Sequence, residues 1–368
     1  MARVLLVEPF YGGSHKAFAD GLARHSEHEF VFLTLADGEW RRRMRRGAQE
    51  LAAAAREVSS AFDLILATDM LDLPVFLALT RPRFSHTPIL LYMHENQFTY
   101  PRLKGTTFNS WFGQINYLSA CAADRVAFNS EFHLQDFLGA LRTLARQPNN
   151  WLVESEIAAI AAKSTVLPVG VELSWMDAYG REPARDLPPL IIWNHRWEFD
   201  KSPEVFARVL VRLAEEGLAF RVAIAGERGP NPSPALLQLP SLLGDRVLHH
   251  GYLESKDAYA RLLWESDIVM STTRHEFFGV AMVEALYCGC FPVAPNRYNY
   301  PFLVPDALHA RSLWETEADH VRLLRAAIYE RPDVRAATRA SAERFDWLKV
   351  GPKWDEAIAH CLHAPTRP

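Results

Sequence analysis

The chain has 368 residues and a formal net charge of −4, with 49% apolar and 23% charged residues. This length allows two domains that each bury a hydrophobic core, and the composition excludes an intrinsically disordered protein. The net charge offers no general attraction to nucleic acid. The first apolar run, residues 4–7, is too short for a signal peptide or a membrane span, and no run of about 18 apolar residues follows it.

The cysteines do not form a pattern with a known function. Cys121, Cys288, Cys290 and Cys361 have neither the spacing of a zinc site nor the density of a disulfide scaffold. We therefore expect buried free thiols in a reducing environment and a cytoplasmic protein.

Short apolar runs alternate with helical patterns in two series, with helices predicted, for example, at 16–25 and 48–58. Apolar strands with helices between them predict a parallel sheet covered on both faces, and two series predict two doubly wound, Rossmann-like α/β domains. Polar residues at the strand ends suggest that the domains face each other across a cleft. The predicted strands are 4–7, 30–33, 64–67, 89–93 and 126–128, then 190–193, 222–225, 247–249, 268–271 and 291–294.

The first strand leads into the turn Gly12-Gly13. Two glycines here would let backbone amides approach a ligand closely, although an ordinary strand-to-helix turn explains them equally well. The chain lacks the glycine pattern of dinucleotide-binding folds, the phosphate-binding loop of nucleotide hydrolases and the serine elbow of hydrolases. These absences disfavour a dehydrogenase, a P-loop phosphotransferase and a serine hydrolase.

Five arginines occur within the six positions 41–46. A solvated helix face is one explanation, because an alanine-rich stretch continues the helical pattern. The other is a patch that binds the phosphates of a nucleic acid on an otherwise acidic protein. The residues are Arg41, Arg42, Arg43, Arg45 and Arg46.

His94 directly follows the strand 89–93 and is succeeded by Glu95 and Asn96. A histidine at the carboxyl end of a parallel strand is positioned to contact a sugar hydroxyl or a developing charge. A structural histidine in the core is the alternative, and the same choice applies to His15 and His275.

Proline-containing segments at 166–172 and 181–189 separate the two series. They predict an N-terminal domain at 1–172, a C-terminal domain at 173–345, and a closing helix and tail at 346–368.

In the second series, Arg196 and Lys201 follow the first strand and could neutralise a diphosphate, or they could be ordinary surface cations. Gly279 would let the backbone approach a ligand, and the helix starting near Val280 would point its free amides at a phosphate. Glu276 lies before this helix, where a sugar would bind. Glu284 lies about one turn inside it, where a carboxylate can accept both hydroxyls of a ribose. The alternative is a buried helix with one stray carboxylate.

The chain has no Asp-x-Asp motif, so we expect neither a metal nor another cofactor. The loops around Gly226, Tyr252 and Leu253 are candidates for recognition of the nucleotide base. Phe278, between Glu276 and Gly279, belongs to the same predicted donor segment.

The pair Glu276 and Glu284, with Gly279 between them, resembles the donor-site signature of retaining glycosyltransferases of the two-domain GT-B fold. Over nearly the whole chain, the motifs resemble more closely the tRNA-queuosine α-mannosyltransferases. The matching segments are 8–15, 94–97 with Tyr100-Pro101, 128–130, 195–201, 251–257 and 275–284 through Cys288-Gly-Cys290.

This resemblance implies transfer of mannose from GDP-mannose to a hydroxyl of the cyclopentenediol of queuosine in a tRNA anticodon loop, with retention at the anomeric carbon. It places Arg196 and Lys201 on the diphosphate, Glu276 on the mannose and Glu284 on the ribose. It also places His94 near the reacting sugar. The expected partners are thus a nucleotide sugar and queuosine-containing tRNA. The alternatives are a GT-B enzyme with a lipid, polysaccharide or small-molecule acceptor, and a catalytically silent RNA-binding protein.

Overall fold

The computed structural model describes residues 1–58, 61–101, 110–148, 150–181, 186–229 and 231–363. Pro183, in the predicted linker, lies outside these residues. The chain divides into two compact units. The first comprises Met1–Tyr100, Gly105–Gly170 and Trp347–Pro368, and the second comprises Pro101–Lys104 and Val171–Asp346.

The described part of the first unit contains a parallel sheet with the strand order β2-β1-β3-β4-β5-β6. All residues of β3 and β4 are buried, as expected when helices cover both faces of a parallel sheet. The elements in chain order are β1 (Arg3–Tyr11), α1 (Gly13–His25), β2 (Glu29–Ala36), α2 (Trp40–Ala54), β3 (Leu64–Thr68), α3 (Leu73–Leu79), β4 (Ile89–Met93), α4 (Ser110–Ala122), β5 (Arg125–Phe128), α5 (Glu131–Ala145), α6 (Glu154–Ala162) and β6 (Ser164–Val166).

The second unit contains another parallel sheet among its described residues, in the order β12-β11-β10-β7-β8-β9. Its central strand β7 is fully buried. The elements are β7 (Leu190–Trp193), α7 (Pro203–Glu215), β8 (Arg221–Ala225), α8 (Pro234–Leu243), β9 (Val247–Gly251), α9 (Lys256–Glu265), β10 (Ile268–Met270), α10 (Val280–Tyr287), β11 (Phe291–Pro295), α11 (Tyr300–Leu303), α12 (His309–Ser312), β12 (Leu313–Trp314), α13 (Glu317–Glu330) and α14 (Arg335–Glu343).

The strand predictions are confirmed at every predicted position, with ends that shift by a few residues. Two strands were missed: β6, whose residues are polar or only partly buried, and β12, which has only two residues. The predicted helix 48–58 was wrong in its limits. Helix α2 begins at Trp40, where Glu39 caps it by accepting a hydrogen bond from the Arg42 amide, and it ends at Ala54.

The closing helix α15 (Trp347–Leu362) packs against α1, β3 and β4 of the first unit. Its first residue, Trp347, is buried between two glycines. A Cβ atom added to Gly21 would lie 2.3 Å from Nε1 of Trp347, and one added to Gly170 would lie 2.2 Å from its Cδ2. Both positions therefore need glycine, because the indole occupies the space of a side chain.

We predict that Gly170→Ala destabilises the first unit by about 1–3 kcal/mol, because the added methyl group overpacks the site of Trp347. The matched control is Gly139→Ala in α5, where an added Cβ meets nothing within 4 Å. The control should be neutral or stabilising by about 0.5–1 kcal/mol, since alanine favours a helix. Urea unfolding followed by circular dichroism measures both, and equal midpoints for the two variants would contradict the packing argument.

Candidate functional site

Four neighbouring strands of the first unit bring polar side chains to the carboxyl-terminal part of the sheet. Glu8 lies in β1, Asp69 follows β3, His94 follows β4 and Asn129 follows β5. Because β1, β3, β4 and β5 are consecutive in the sheet, these residues lie side by side.

A buried ion pair joins β1 to α1. The carboxyl of Glu8 is fully buried, and its Oε2 lies 3.0 Å from Nδ1 of His15 in the first turn of α1. The other oxygen of Glu8 accepts a hydrogen bond from the backbone N–H of Phe10 at 2.7 Å. Burial alone would lower the pKa of His15, but the charge and hydrogen bond of Glu8 outweigh it and raise this pKa to about 9. His15 is therefore a cation at neutral pH.

The imidazole of His94 is enclosed by three rings. Its centroid lies 4.2 Å from that of His15, 4.8 Å from Phe18 and 4.7 Å from Tyr92, the last two in edge-to-face geometry. Its Nε2 is buried and has no hydrogen-bond partner. Burial first, and then the charges of His15 and His133, hold the pKa of His94 well below its usual value. His94 is therefore neutral.

Asp69 fixes the backbone at His94. One of its oxygens accepts a hydrogen bond from the His94 N–H at 2.8 Å, while Oδ2 is buried without a partner. The side-chain amide of Asn129 donates a hydrogen bond to the carbonyl oxygen of His94 at 2.8 Å. Nδ1 of His133 lies 2.9 Å from the side-chain oxygen of Asn129. Burial raises the pKa of Asp69.

The sequence indicated polar residues at these strand ends but no specific role for Glu8, Asp69 or His133. A carboxylate inside an otherwise apolar strand was the available signal for Glu8, since a buried charge requires a partner.

Glu8, His15 and His94 could each offer one ligand atom to a metal, and these atoms lie within 4.8 Å of one another. However, the Glu8–His15 hydrogen bond already uses one atom of each residue. We therefore identify no metal ligands here. The expectation that the protein needs no metal stays a prediction.

The remaining predicted residues of the first unit have local contacts. Gly12 is buried, and a Cβ added to it would lie 2.3 Å from Cβ of Asp37, whereas Gly13 adopts a left-handed φ of 51°. Asn96 is fully buried and organises its own loop by accepting hydrogen bonds from the N–H groups of residues 98 and 99. Glu95 accepts a hydrogen bond from Gln97 at 2.8 Å.

The arginine run forms the first turns of α2, as the helix-face interpretation predicted. Arg41, Arg42, Arg45 and Arg46 are exposed, whereas Arg43 is mostly buried and lies 3.3 Å from Glu50. Two of the exposed guanidinium groups stack on rings: that of Arg41 lies 4.5 Å from the Trp40 centroid, and that of Arg45 lies 5.4 Å from the Phe112 centroid.

In the second unit, the loops after β7 and β8 are in direct backbone contact. A Cβ added to Gly226 would lie 1.8 Å from the carbonyl oxygen of His195, so only glycine permits this approach. The N–H of Trp197 donates to the carbonyl of Glu227 at 2.9 Å and ties the loops together. Arg196 extends from this region, with its side chain 62% exposed and 3.1 Å from Glu198.

Lys201 and Glu276 are brought together, with Asp200 as an additional partner that the sequence analysis missed. The buried Lys201 ammonium lies 3.4 Å from Glu276 and 3.1 Å from Asp200. Burial opposes its charge, but the two carboxylates outweigh burial and raise the pKa of Lys201 above its usual value. Thr272 and Thr273, after β10, donate to the carbonyls of Lys201 and Asp200 and hold this turn.

Helix α10 starts at Val280, as predicted, after Gly279 with a φ of 102°. This positive φ favours glycine, and Gly279 has no side chain that could cap the first-turn amides of the helix. Glu284 accepts a hydrogen bond from the Tyr259 hydroxyl at 2.7 Å, and Asn194 donates to Tyr259 at 3.0 Å. Burial raises the pKa of Glu284 to about 7 despite the Tyr259 hydrogen bond.

Three other predicted donor residues differ in accessibility. Phe278 is buried and lies edge-to-face against Phe345 at 5.2 Å, so its ring belongs to the core of the unit. Tyr252 is 59% exposed after β9, and Leu253 beside it is partly buried.

Comparison with known proteins identifies the family. A family model described as tRNA-queuosine alpha-mannosyltransferase N-terminal matches residues 3–171, and one described as glycosyl transferases group 1 matches residues 180–339. A tRNA-queuosine alpha-mannosyltransferase of Drosophila melanogaster is 34% identical over 310 residues, which cover 82% of this chain and 81% of that protein. The chain belongs to this family.

More distant matches agree with the predicted fold class and enzyme class. A GDP-mannose:cellobiosyl-diphosphopolyprenol alpha-mannosyltransferase of Xanthomonas oryzae pv. oryzae is 23% identical over 79% of this chain and 72% of that protein. The structure of sucrose-phosphate synthase from Thermosynechococcus elongatus aligns with a TM-score of 0.73 and 14% identity, covering 99% of this chain and 100% of that one. The GT-B fold is thereby confirmed, and the family membership makes the chain a hexosyltransferase. Within the described ranges, no helix is long and apolar enough to span a membrane.

We predict a pH-dependent contribution of His15 to stability. Its pKa rises from 6.5 to about 9 on folding, so the stabilisation is complete below pH 6.5 and is lost as the pH rises through about 9. The free energy of unfolding of the wild type should therefore exceed that of His15→Gln most at low pH, and the difference should shrink over this range. Urea titrations from pH 6 to 9.5 measure it, with the exposed His86→Gln as control. A difference that stays constant with pH would disprove the ion pair.

Proposed function

We propose that this protein transfers mannose from GDP-mannose to a hydroxyl of the cyclopentenediol of queuosine in a tRNA anticodon loop, with retention at the anomeric carbon. The observation that carries the proposal is the 34% identity, over 82% of the chain, to a protein named for queuosine mannosylation. The name of the Xanthomonas relative supports GDP-mannose as the donor.

The second unit binds the donor in this proposal. Lys201, Arg196 and the free amides at the start of α10 contact the diphosphate, for which a permanent cation and a helix N-terminus are suited. Glu276 accepts hydrogen bonds from the mannose, and Glu284, oriented by Tyr259, accepts them from the ribose. Gly226, Tyr252 and Leu253 form the region that contacts guanine.

The chemistry needs no protein nucleophile. The bond from the anomeric carbon to the diphosphate oxygen breaks, and a bond to the acceptor oxygen forms on the same face. The departing diphosphate takes the proton of the acceptor hydroxyl. Lys201 stabilises the negative charge that develops on the leaving group, because its two carboxylate neighbours keep it protonated. We therefore expect transfer to continue without a metal ion.

The first unit binds the acceptor in this proposal, through the loop of Glu95 and Asn96. The assignments of Gly12 and Gly13 to donor binding, of His15 to the acceptor and of His94 to the reacting sugar stay predictions. The exposed arginines of α2 contact tRNA phosphates. An apolar cluster connects the two regions: Phe112 and Met44 are buried in it, and Trp40 and Phe10 pack against it. The ring of Phe10 also lies 5.7 Å from that of His15, so the arginine helix and the histidines pack against one common cluster.

The decisive experiment incubates the purified protein and GDP-mannose with queuosine-containing tRNA, queuosine-lacking tRNA or a polyprenyl-diphosphate sugar, with and without EDTA. We expect a gain of one hexose on the queuosine nucleoside by mass spectrometry, only with the first acceptor and unaffected by EDTA. Transfer to the lipid-linked sugar alone would overturn the choice of acceptor.

A pair of variants tests the donor site in the same assay. Glu276→Ala should abolish transfer while the circular dichroism spectrum stays unchanged, whereas Glu215→Ala, at an exposed position of α7, should retain it. Unchanged turnover in Glu276→Ala would remove Glu276 from the mechanism.

We predict that replacing the four exposed arginines of α2 by serine weakens tRNA binding. Each lost phosphate contact should reduce the slope of log affinity against log salt by about 0.7–0.9, so the slope should fall by up to about 3.6 in magnitude. Filter binding at several salt concentrations measures this. The control replaces four other exposed arginines of the first unit, which changes the net charge equally: Arg56, Arg81, Arg83 and Arg146. Equal effects of both sets would mean that α2 is only a solvated face.

A further inference from the structure

More charged groups surround His94 than are needed around a histidine that only packs in the core. His15 contacts it from α1, and Glu8 pairs with His15 from β1. The other titratable groups come from elements packed around the same ring: Asp69 after β3, Tyr92 of β4, Glu95 in its own loop, and His133 of α5.

We propose that Glu8 and His15 form a fixed ion pair whose positive imidazolium keeps the adjacent His94 uncharged, so that the His94 ring can accept a hydrogen bond from a substrate hydroxyl. His15 and Glu8 are thus positioning residues that act through His94. The identity of the hydroxyl, on the mannose or on the acceptor, rests on the proposed function.

The geometry supports this in two ways. First, a second positive charge on His94 would lie in a ring only 4.2 Å from the imidazolium of His15, in a buried environment where like charges repel strongly. Second, Glu8 gives His15 a reason to be the charged member, because it is fully buried and its Oε2 directly contacts Nδ1 of His15.

The acidic neighbours do not reverse this preference. The two carboxylate oxygens of Glu8 are already hydrogen-bonded, one to His15 and the other to the N–H of Phe10. Burial raises the pKa of Asp69 and so reduces its negative charge near neutral pH. The charge of His133 adds to that of His15 and acts against protonation of His94.

The protonation state of His94 matters because only a neutral imidazole has a ring nitrogen with a free lone pair. An imidazolium can only donate hydrogen bonds. It would also add a second positive charge, which would compete with the other cations of the site for the substrate. The rings of Phe18 and Tyr92 fix the plane of the imidazole, so the neutral acceptor is already oriented before a substrate binds.

The test measures protonation directly in the free protein, by NMR of protein labelled with ¹³C at Cε1 of histidine. His94→Asn and His15→Gln assign the two signals. In the wild type at pH 7.5, we expect His15 to be protonated and His94 to be neutral. A neutral His15 at pH 7.5 in the wild type would overturn the proposal without any variant.

Two substitutions at position 15 then separate charge from shape. In His15→Gln the positive charge is lost, so the titration midpoint of His94 should rise by at least about one pH unit. In His15→Lys the positive charge beside Glu8 is kept, so His94 should stay neutral as in the wild type. Glu8→Gln is a second route to the same change, because His15 loses the group that stabilises its charge. If the titration midpoint of His94 does not rise in either His15→Gln or Glu8→Gln, the ion pair does not control it.

The pH profile of kcat/KM provides the functional readout. In His15→Gln the acidic limb should move to higher pH, with activity at pH 5.5 on the order of tenfold lower relative to pH 8 than in the wild type, and His15→Lys should restore it. The NMR titration needs no substrate, so it can fail or succeed independently of the acceptor assay. An unshifted profile together with a shifted His94 titration would overturn the role of neutral His94 in transfer.

Discussion

The arrangement of both sites depends on one constraint: the central strands of each parallel sheet are covered on both faces. Strands β3, β4 and β7 bury every residue, so most of their polar neighbours lie at or beyond the strand ends. Asp69 and His94 in the first unit, and His195 through Lys201 in the second, follow strands in this way. Glu8 is the exception, because it lies within β1 and is fully buried.

That exception follows the same physical rule as the buried lysine of the second unit. A charge removed from water must be paired, and removal of one partner leaves the other at high cost. Glu8 has His15, and Lys201 has Asp200 and Glu276. In each case the pairing joins different elements: β1 with α1, and the loop after β7 with the loop after β10. The ion pairs therefore fix the relative positions of the loops and also the charges that the loops present.

Much of the fold could be predicted from the sequence, because apolar periodicity directly reflects burial. Every predicted strand exists, but β6 and β12 were invisible, since an edge strand with polar residues and a two-residue strand have no such periodicity. The start of α10 and the glycine before it were also readable, because a helix N-terminus after a positive φ has a local sequence signature.

The site partners were harder to predict, because they come from residues distant in sequence. Nothing near Glu284 indicates that Tyr259 and Asn194 orient it, and nothing near His94 indicates that its backbone is held by Asp69 and Asn129. At two predicted positions, the packing was also not visible in the sequence. Phe278 lies in the donor segment, yet its ring packs in the core, and the space beside Gly12 is filled by Asp37. A motif indicates which segment lies at a site, whereas only packing decides which side chains point into it.

The protonation states of the central groups are set by burial and pairing. His15 and Lys201 are held as cations by carboxylates, and His94 is held neutral by burial and by the charge of His15. None of these three groups changes its charge near pH 7, so none is poised to exchange a proton with a substrate at that pH.

A transfer in which the leaving diphosphate itself takes the acceptor proton needs no such group. It needs fixed charges and fixed hydrogen-bond acceptors, which do not have to reorganise as negative charge develops. Glu284, whose pKa is raised to about 7, is the contrasting case, and its proposed partner is a ribose that takes no part in bond breaking. The pKa values thus agree with a division of roles. Glu284, whose pKa lies near neutrality, only binds, whereas His15, Lys201 and His94 keep a fixed charge state during transfer.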